Sequence, residues 1–187
     1  IECTAIALAY LKPDPADGYA IDIQGGGSDL IFPHHEMSAA QSRIMGRQRF
    51  ARTYVHAGMI GLDGEKMSKS RGNLVFVSKL IAAGKDPMAI RWALISDHYR
   101  SDRMWSDSLL KTAEEQLHQL RIAINAQNCA PTDEVISSLI AALSDDLDTP
   151  QVIAILKKWS ADTLAGGTGG STDDLQFALD GLLGLNL

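Results

Sequence analysis

The sequence predicts an α/β half followed by an α-helical bundle. Two patterns predict it: a strand, glycine-rich loop, helix and strand succession in the first third, and helical periodicity alone after about residue 87. Composition agrees, because 187 residues with 45% hydrophobic and 21% charged side chains can bury a real core and do not resemble a disordered chain. The richest apolar runs, such as residues 88–95, are short and interrupted by Arg91, so no membrane span is expected. Cys3 and Cys129 cannot build a disulfide framework, which points to a reducing, cytoplasmic compartment. The chain opens on Ile1 with no signal-peptide pattern, and is expected to be a piece of something longer.

Taken in order, Ala20, Ile21, Asp22 and Ile23 alternate and run into Gly25, Gly26 and Gly27, a strand ending in a tight loop. Pro33 suits a helix start, and Met37, Ala40, Gln41 and Ile44 keep helical spacing as far as Gly46. Residues 54–62 read as a second strand ended by the turn dipeptide Asp63-Gly64, which completes a βαβ rhythm. Asp86-Pro87 then opens a helix with Met88, Ile90, Ala93 and Leu94 inward. Residues 107–127 hold Leu109, Leu110, Ala113, Leu117, Leu120 and Ile124 on one face, and residues 132–143 form a further helix. Thr149 as N-cap and Pro150 at the first helical position begin a helix to about Leu164. Residues 165–170 read as a flexible linker, and Ser171 caps a last helix over 172–183. Two domains follow, residues 1–86 and 87–187.

The net charge of −6 is unevenly spread. Residues 1–40 carry −5, residues 41–105 carry twelve basic against five acidic side chains for +7, and residues 106–187 carry −8. A basic middle suits a local anionic ligand rather than a broad nucleic-acid face, although charge alone favours a solvated surface.

Three local patterns carry chemistry. Lys66-Met67-Ser68-Lys69-Ser70 lies between Gly64 and Gly72. Two lysines three apart, with hydroxyls between them on a glycine-hinged loop, can close over a polyphosphate and stabilise charge on its oxygens. Gly27, Ser28 and Asp29 follow the first strand, where a carboxylate can accept from ribose hydroxyls or can cap the next helix. Cys3 and His34 (in His34-His35-Glu36) are zinc-type donors, but a catalytic zinc needs three protein ligands and either residue alone could be structural.

Together, Ile1-Glu2-Cys3, the runs DIQGGGSDLIFPHHE (22–36) and HAGMIGLDGEKMSKSRGNL (56–74), His98-Tyr99-Arg100 and DDLDTP (145–150) resemble the cysteinyl-tRNA synthetase family. The resemblance covers nearly the whole chain and implies the C-terminal part of a class I synthetase Rossmann-like domain with its KMSKS loop, followed by the bundle. It implies activation of cysteine by ATP, with magnesium, to cysteinyl-adenylate. The acceptor is then either tRNA or, in a ligase relative, the amine of glucosaminyl-inositol in mycothiol biosynthesis.

By the same resemblance Cys3 and His34 ligate zinc with a third Cys upstream, and the zinc selects cysteine by binding its thiolate. Gly27, Ser28 and Asp29 hold the adenylate, Ile60 presents its backbone to adenine, and Lys66, Met67, Ser68, Lys69 and Ser70 form the ATP-phosphate loop, with Lys66 and Lys69 catalytic. A monomer is expected.

Three departures favour the ligase branch. Where the tRNA enzymes carry a fourth, glutamate zinc ligand, this chain has Ser38. It stops at Leu187 with no anticodon-binding region, and its last block, at −8, suits tRNA phosphates poorly. The HIGH signature that pairs with KMSKS is absent, so the chain is expected not to catalyse alone. A non-catalytic nucleotide-binding paralogue is the reading from another class.

Overall fold

The computed structural model describes residues 2–11, 16, 18–46 and 49–187; Ile1, quoted in the resemblance above, lies outside them. Two compact units are present: Ile1–Met59 with Arg100–Asp102, and Ile60–Tyr99 with Arg103–Leu187.

The first unit begins with helix α1 (Glu2–Tyr10), then β1 (Tyr19–Gly27), α2 (Glu36–Gly46) and β2 (Arg49–Ala57). β1 and β2 pair in parallel with Ile21 opposite Ala51 and Gly26 opposite His56. Parallel neighbours need a crossover, and α2 supplies it, as the βαβ rhythm predicts. Its core is small: Ala20, Phe50 and Ala51 are buried, with Ala7, Leu8, Ile21 and Ala39 packed on them. Thr4 is fully buried between α1 and α2, where its hydroxyl donates to Gln41 Oε1 at 2.9 Å.

Several boundaries differ from the sequence reading. The glycines do not end β1; Gly25, Gly26 and Gly27 stay in register with Val55, His56 and Ala57, because ladder hydrogen bonds outweigh glycine's low strand propensity. α2 starts at Glu36 rather than at Pro33, since Phe32 is extended (φ −133°, ψ 136°) and residues 31–35 form one widened turn. The strand expected over 54–62 is two strands. Gly58 passes so close to Ser101 that a Cβ would lie 2.3 Å from its carbonyl oxygen, and the Met59 N–H leaves the ladder to donate to the Asp102 carboxylate at 2.6 Å.

In the second unit β3 (Ile60–Leu62) and β4 (Glu65–Lys66) form a hairpin through Asp63 (φ 54°) and Gly64 (φ 82°), the paired left-handed turn that Asp-Gly favours. β5 (Arg103–Trp105) joins β3 in parallel on its other side. The helices are α3 (Val77–Ala82), α4 (Pro87–Ile95), α5 (Asp107–Ile124), α6 (Asp133–Ser144), α7 (Thr149–Leu164) and α8 (Thr172–Leu183). They enclose the main core, which includes Trp92, Leu110, Leu117, Leu120, Leu139, Val152, Leu156, Trp159, Leu175 and Leu179. Ile60, Leu62, Met67, Val75 and Leu80 pack on this core, so the hairpin and the lysine loop rest on the helices.

Helix α7 is capped by Asp148, whose carboxylate accepts from the Gln151 N–H at 3.0 Å, so Thr149 and Pro150 sit one position further into the helix than expected. Residues 165–170 are a packed connection rather than a loose linker. The Gly170 N–H donates to Cys129 O at 3.0 Å, and a Cβ there would lie 2.1 Å from Ala130 O. Among the described residues no helix is long and apolar enough to cross a membrane.

Candidate active site

The residues singled out by sequence divide between the units: Cys3, Gly27, Ser28, Asp29 and His34 lie in the first, Ile60 and residues 66–70 in the second.

In the first unit the path from β1 to α2 sets the geometry. Gly26 and Gly27 are glycines because their own chain fills the space above them. A Cβ at Gly26 would meet His35 Cε1 and Leu30 Cδ1, both at 2.9 Å, and one at Gly27 would meet Asp29 Oδ1 at 2.6 Å and Met59 Sδ at 3.1 Å. Ser28 and Asp29 open a short 3₁₀ turn, with Ser28 half-buried and Asp29 exposed. Asp29 does not cap α2; its carboxylate lies against Gly27 at the end of the strand.

Cys3 on α1 and His34 just before α2 are both exposed. A thiol and an imidazole open to solvent are a donor pair that suits zinc. Among the described residues no group of three or more His, Cys, Asp or Glu side chains could hold a metal ion. Ser38 is buried, and its hydroxyl donates to the His34 carbonyl at 3.0 Å. This serine therefore steadies the turn that carries His34.

His35 is 3% exposed and anchors a network that sequence reasoning missed. Its Nε2 lies 3.0 Å from Gln24 Nε2 and its Nδ1 lies 2.8 Å from His56 Nε2. An amide N–H donating to Nε2 leaves Nδ1–H to donate to His56, an arrangement open only to the neutral ring. Burial first, then the neighbouring His56 and His34, lower the His35 pKa, in the same direction. The available signal was weak: His56 had to be placed opposite Gly26, which only strand register supplies.

In the second unit Lys66 ends β4 opposite Gly61, where any Cβ would lie 2.6 Å from Glu65 O and from Met104 Sδ. Met67 is half-buried on the bundle core, while Lys66 and Lys69 are exposed. Ser68 Oγ lies 3.2 Å from Ser70 Oγ, and the Gly72 N–H closes a turn onto Lys69 O at 3.2 Å. Arg71 pairs with Glu65 across the base of the loop. Ile60 is half-buried in β3 between β4 and β5. The arrangement presents two cations from one short loop on a rigid base, which suits binding of a polyanion.

Residues 1–115 match the family model described as tRNA synthetases class I (C) catalytic domain. The chain belongs to this family. Curated relatives agree over the whole chain. Each is named L-cysteine:1D-myo-inositol 2-amino-2-deoxy-alpha-D-glucopyranoside ligase, the enzyme also called mycothiol ligase. The protein from Nakamurella multipartita is 52% identical over 188 residues, covering 100% of this chain and 44% of the relative. That from Salinispora tropica is 53% identical over 191 residues, covering 100% and 46%. That from Mycobacterium sp. (strain KMS) is 50% identical over 190 residues, covering 100% and 44%. The chain thus spans less than half the length of these relatives. Among solved structures, the ternary complex of Agrobacterium radiobacter K84 LeuRS, tRNA and LeuAMS superposes with a TM-score of 0.57 at 17% identity, covering 88% of this chain and 26% of that one. This class I family member therefore shares a fold with a distant synthetase.

Proposed function

We propose that the chain is part of an ATP-dependent ligase that activates L-cysteine as cysteinyl-adenylate and transfers it to the amine of glucosaminyl-inositol in mycothiol biosynthesis. The observation that carries this reading is an identity of about one residue in two, across the entire chain, with family members named for that reaction. In the first step the cysteine carboxylate attacks the α-phosphorus of ATP, the α–β phosphoanhydride bond breaks, and pyrophosphate leaves. In the second, the sugar amine attacks the activated carbonyl, forming an amide and releasing AMP and the amine proton.

Lys66 and Lys69 stabilise the charge that builds on the leaving pyrophosphate, with Met67 anchoring the loop and Ser68 and Ser70 donating to phosphate oxygens. Magnesium accompanies the ATP. Gly27, Ser28 and Asp29 hold the adenylate, with Asp29 on the ribose, and the Ile60 backbone faces adenine. Cys3 and His34 ligate zinc together with a cysteine from elsewhere in the full protein, and zinc when bound supplies the thiol selectivity by favouring the substrate thiolate. The hydrogen bond of Ser38 to the His34 carbonyl supports a site of three protein ligands, because the side chain at the fourth position is already committed to the backbone.

The free thiols of Cys3 and Cys129 suit a reducing cytoplasm, and a monomer is proposed. The 187-residue chain is expected to be inactive alone. β1 and β2 form a two-stranded parallel sheet with Ile23 and Val55 exposed, whereas parallel sheets are normally covered on both faces.

The experiment compares the full-length protein and this chain in cysteine-dependent ATP–pyrophosphate exchange, then offers the full-length protein glucosaminyl-inositol or tRNA. The expected outcome is exchange by the full protein only, with amide formation on the sugar. Transfer to tRNA and not to the amine would make the protein a cysteinyl-tRNA synthetase, and robust exchange by the 187-residue chain would overturn the fragment reading.

A further inference from the structure

We infer that Asn73, outside the lysine pentapeptide, is the positioning residue that holds Lys66 and Lys69 in their phosphate-facing arrangement; the inference rests on the reading of residues 66–70 as the ATP-phosphate loop. The Asn73 side chain makes two hydrogen bonds to the loop backbone. Its Oδ1 accepts from the Ser68 N–H at 2.9 Å and its Nδ2 donates to the Lys66 carbonyl at 3.3 Å. These are the carbonyl before and the N–H after Met67, the pair of groups that a neighbouring β-strand would satisfy. One amide thus ties together the backbone on either side of Met67, just beyond the end of β4.

Met67 packs on the helix core, where it is half-buried, and Lys66 and Lys69 on either side of it are exposed. Lys69 starts the turn that the Gly72 N–H closes, with Gly72 in the left-handed region at φ 69°. Asn73 follows that turn directly, so the same amide fixes where the turn begins and ends. The Arg71 to Glu65 ion pair is exposed and cannot replace it, since exposed pairs contribute little.

Asparagine is the residue type this task needs. It offers a donor and an acceptor a fixed distance apart, whereas aspartate has only acceptors and would face the Lys66 carbonyl with a lone pair. The cost of losing the amide falls on the order of the lysines, not on the helices.

The test uses the full-length protein carrying Asn73→Ala or Asn73→Asp, with two readouts. The first is the rate of tryptic cleavage after Lys66, Lys69 and Arg71 under native conditions without ligand. Losing two hydrogen bonds, each holding the loop by a factor of about five, should speed cleavage roughly 10- to 30-fold in the alanine variant. The aspartate variant, which keeps the Ser68 bond, should fall between. The second readout is cysteine-dependent ATP–pyrophosphate exchange. Here kcat should fall and KM for ATP rise, with KM for cysteine and the thermal midpoint unchanged, a split that a merely structural role would not produce. Cleavage and ATP kinetics equal to wild type in the alanine variant would overturn the inference, as would an aspartate variant equal to wild type in both. A wild-type protein without exchange would instead sink the ligase reading, and the cleavage rates would then decide the loop assignment by themselves.

Discussion

At the scale of single residues, the glycines after the first strand show how a chemical motif can also be a packing requirement. Gly26 meets the buried ring of His35, and a methyl group there would stand 2.9 Å from a ring held on both nitrogens. Gly26→Ala should therefore destabilise the first unit by about 1–3 kcal/mol, the usual cost of overpacking, read as a lower urea midpoint at an unchanged m-value. An unshifted midpoint would mean that the ring can move aside. Lys66 and Lys69 could be singled out from sequence because they sit in one short contiguous pattern, whereas the pairing of Cys3 with His34 rests on the family resemblance. His56 and Asn73 could not. The first needs the register of β2 against β1, and the second needs a loop to fold back on itself before its amide has anything to bind.

At the scale of elements, the helices that begin with a local cap were the most legible. Asp86 accepts from the Met88 N–H at 2.8 Å with Pro87 at the first helical position, and it also pairs with Arg121 of α5. Burial pushes its carboxyl up, but the hydrogen bonds from Arg121 and Met88 and the Arg121 charge outweigh this and hold it below the ordinary aspartate value. A depressed carboxyl stabilises the fold above its unfolded pKa and loses that contribution as pH falls through the folded one. Stability of the wild type should therefore drop below about pH 4 by more than that of Asp86→Asn, measured as urea midpoints between pH 3 and pH 7. At pH 7, Asp86→Ala should cost about 1–2 kcal/mol through the lost cap. Equal pH profiles for wild type and Asp86→Asn would remove Arg121 as the cause. The short strands β4 and β5 escaped the sequence reading because two or three residues carry no period; their pairing to β3 defines them.

At the scale of the whole molecule, the two units are built on different amounts of core. The second buries three tryptophans and a run of leucines, while the first buries Ala20, Phe50 and Ala51 with smaller support. In the 187-residue chain, amides of α5 and α7 should exchange with deuterium at least about 100-fold more slowly than those of β1 and α2, read by mass spectrometry of peptides from each element. Comparable protection would show that the first unit is stabilised by something other than its buried apolar area. By itself the sequence determined the α/β-then-helical order, most helix boundaries and the place of the lysine loop, because propensity, capping and turn chemistry act over a few neighbouring residues. Only the tertiary structure decided that the glycines continue the strand, that Ser38 is tied to the His34 carbonyl, that His35 binds Gln24 and His56, and that Asn73 braces the lysine loop. Each of these depends on the path the backbone takes, over four or five residues for Ser38 and Asn73 and between separate stretches for the glycines and His35, and its energy exists only once donor and acceptor are within about 3 Å.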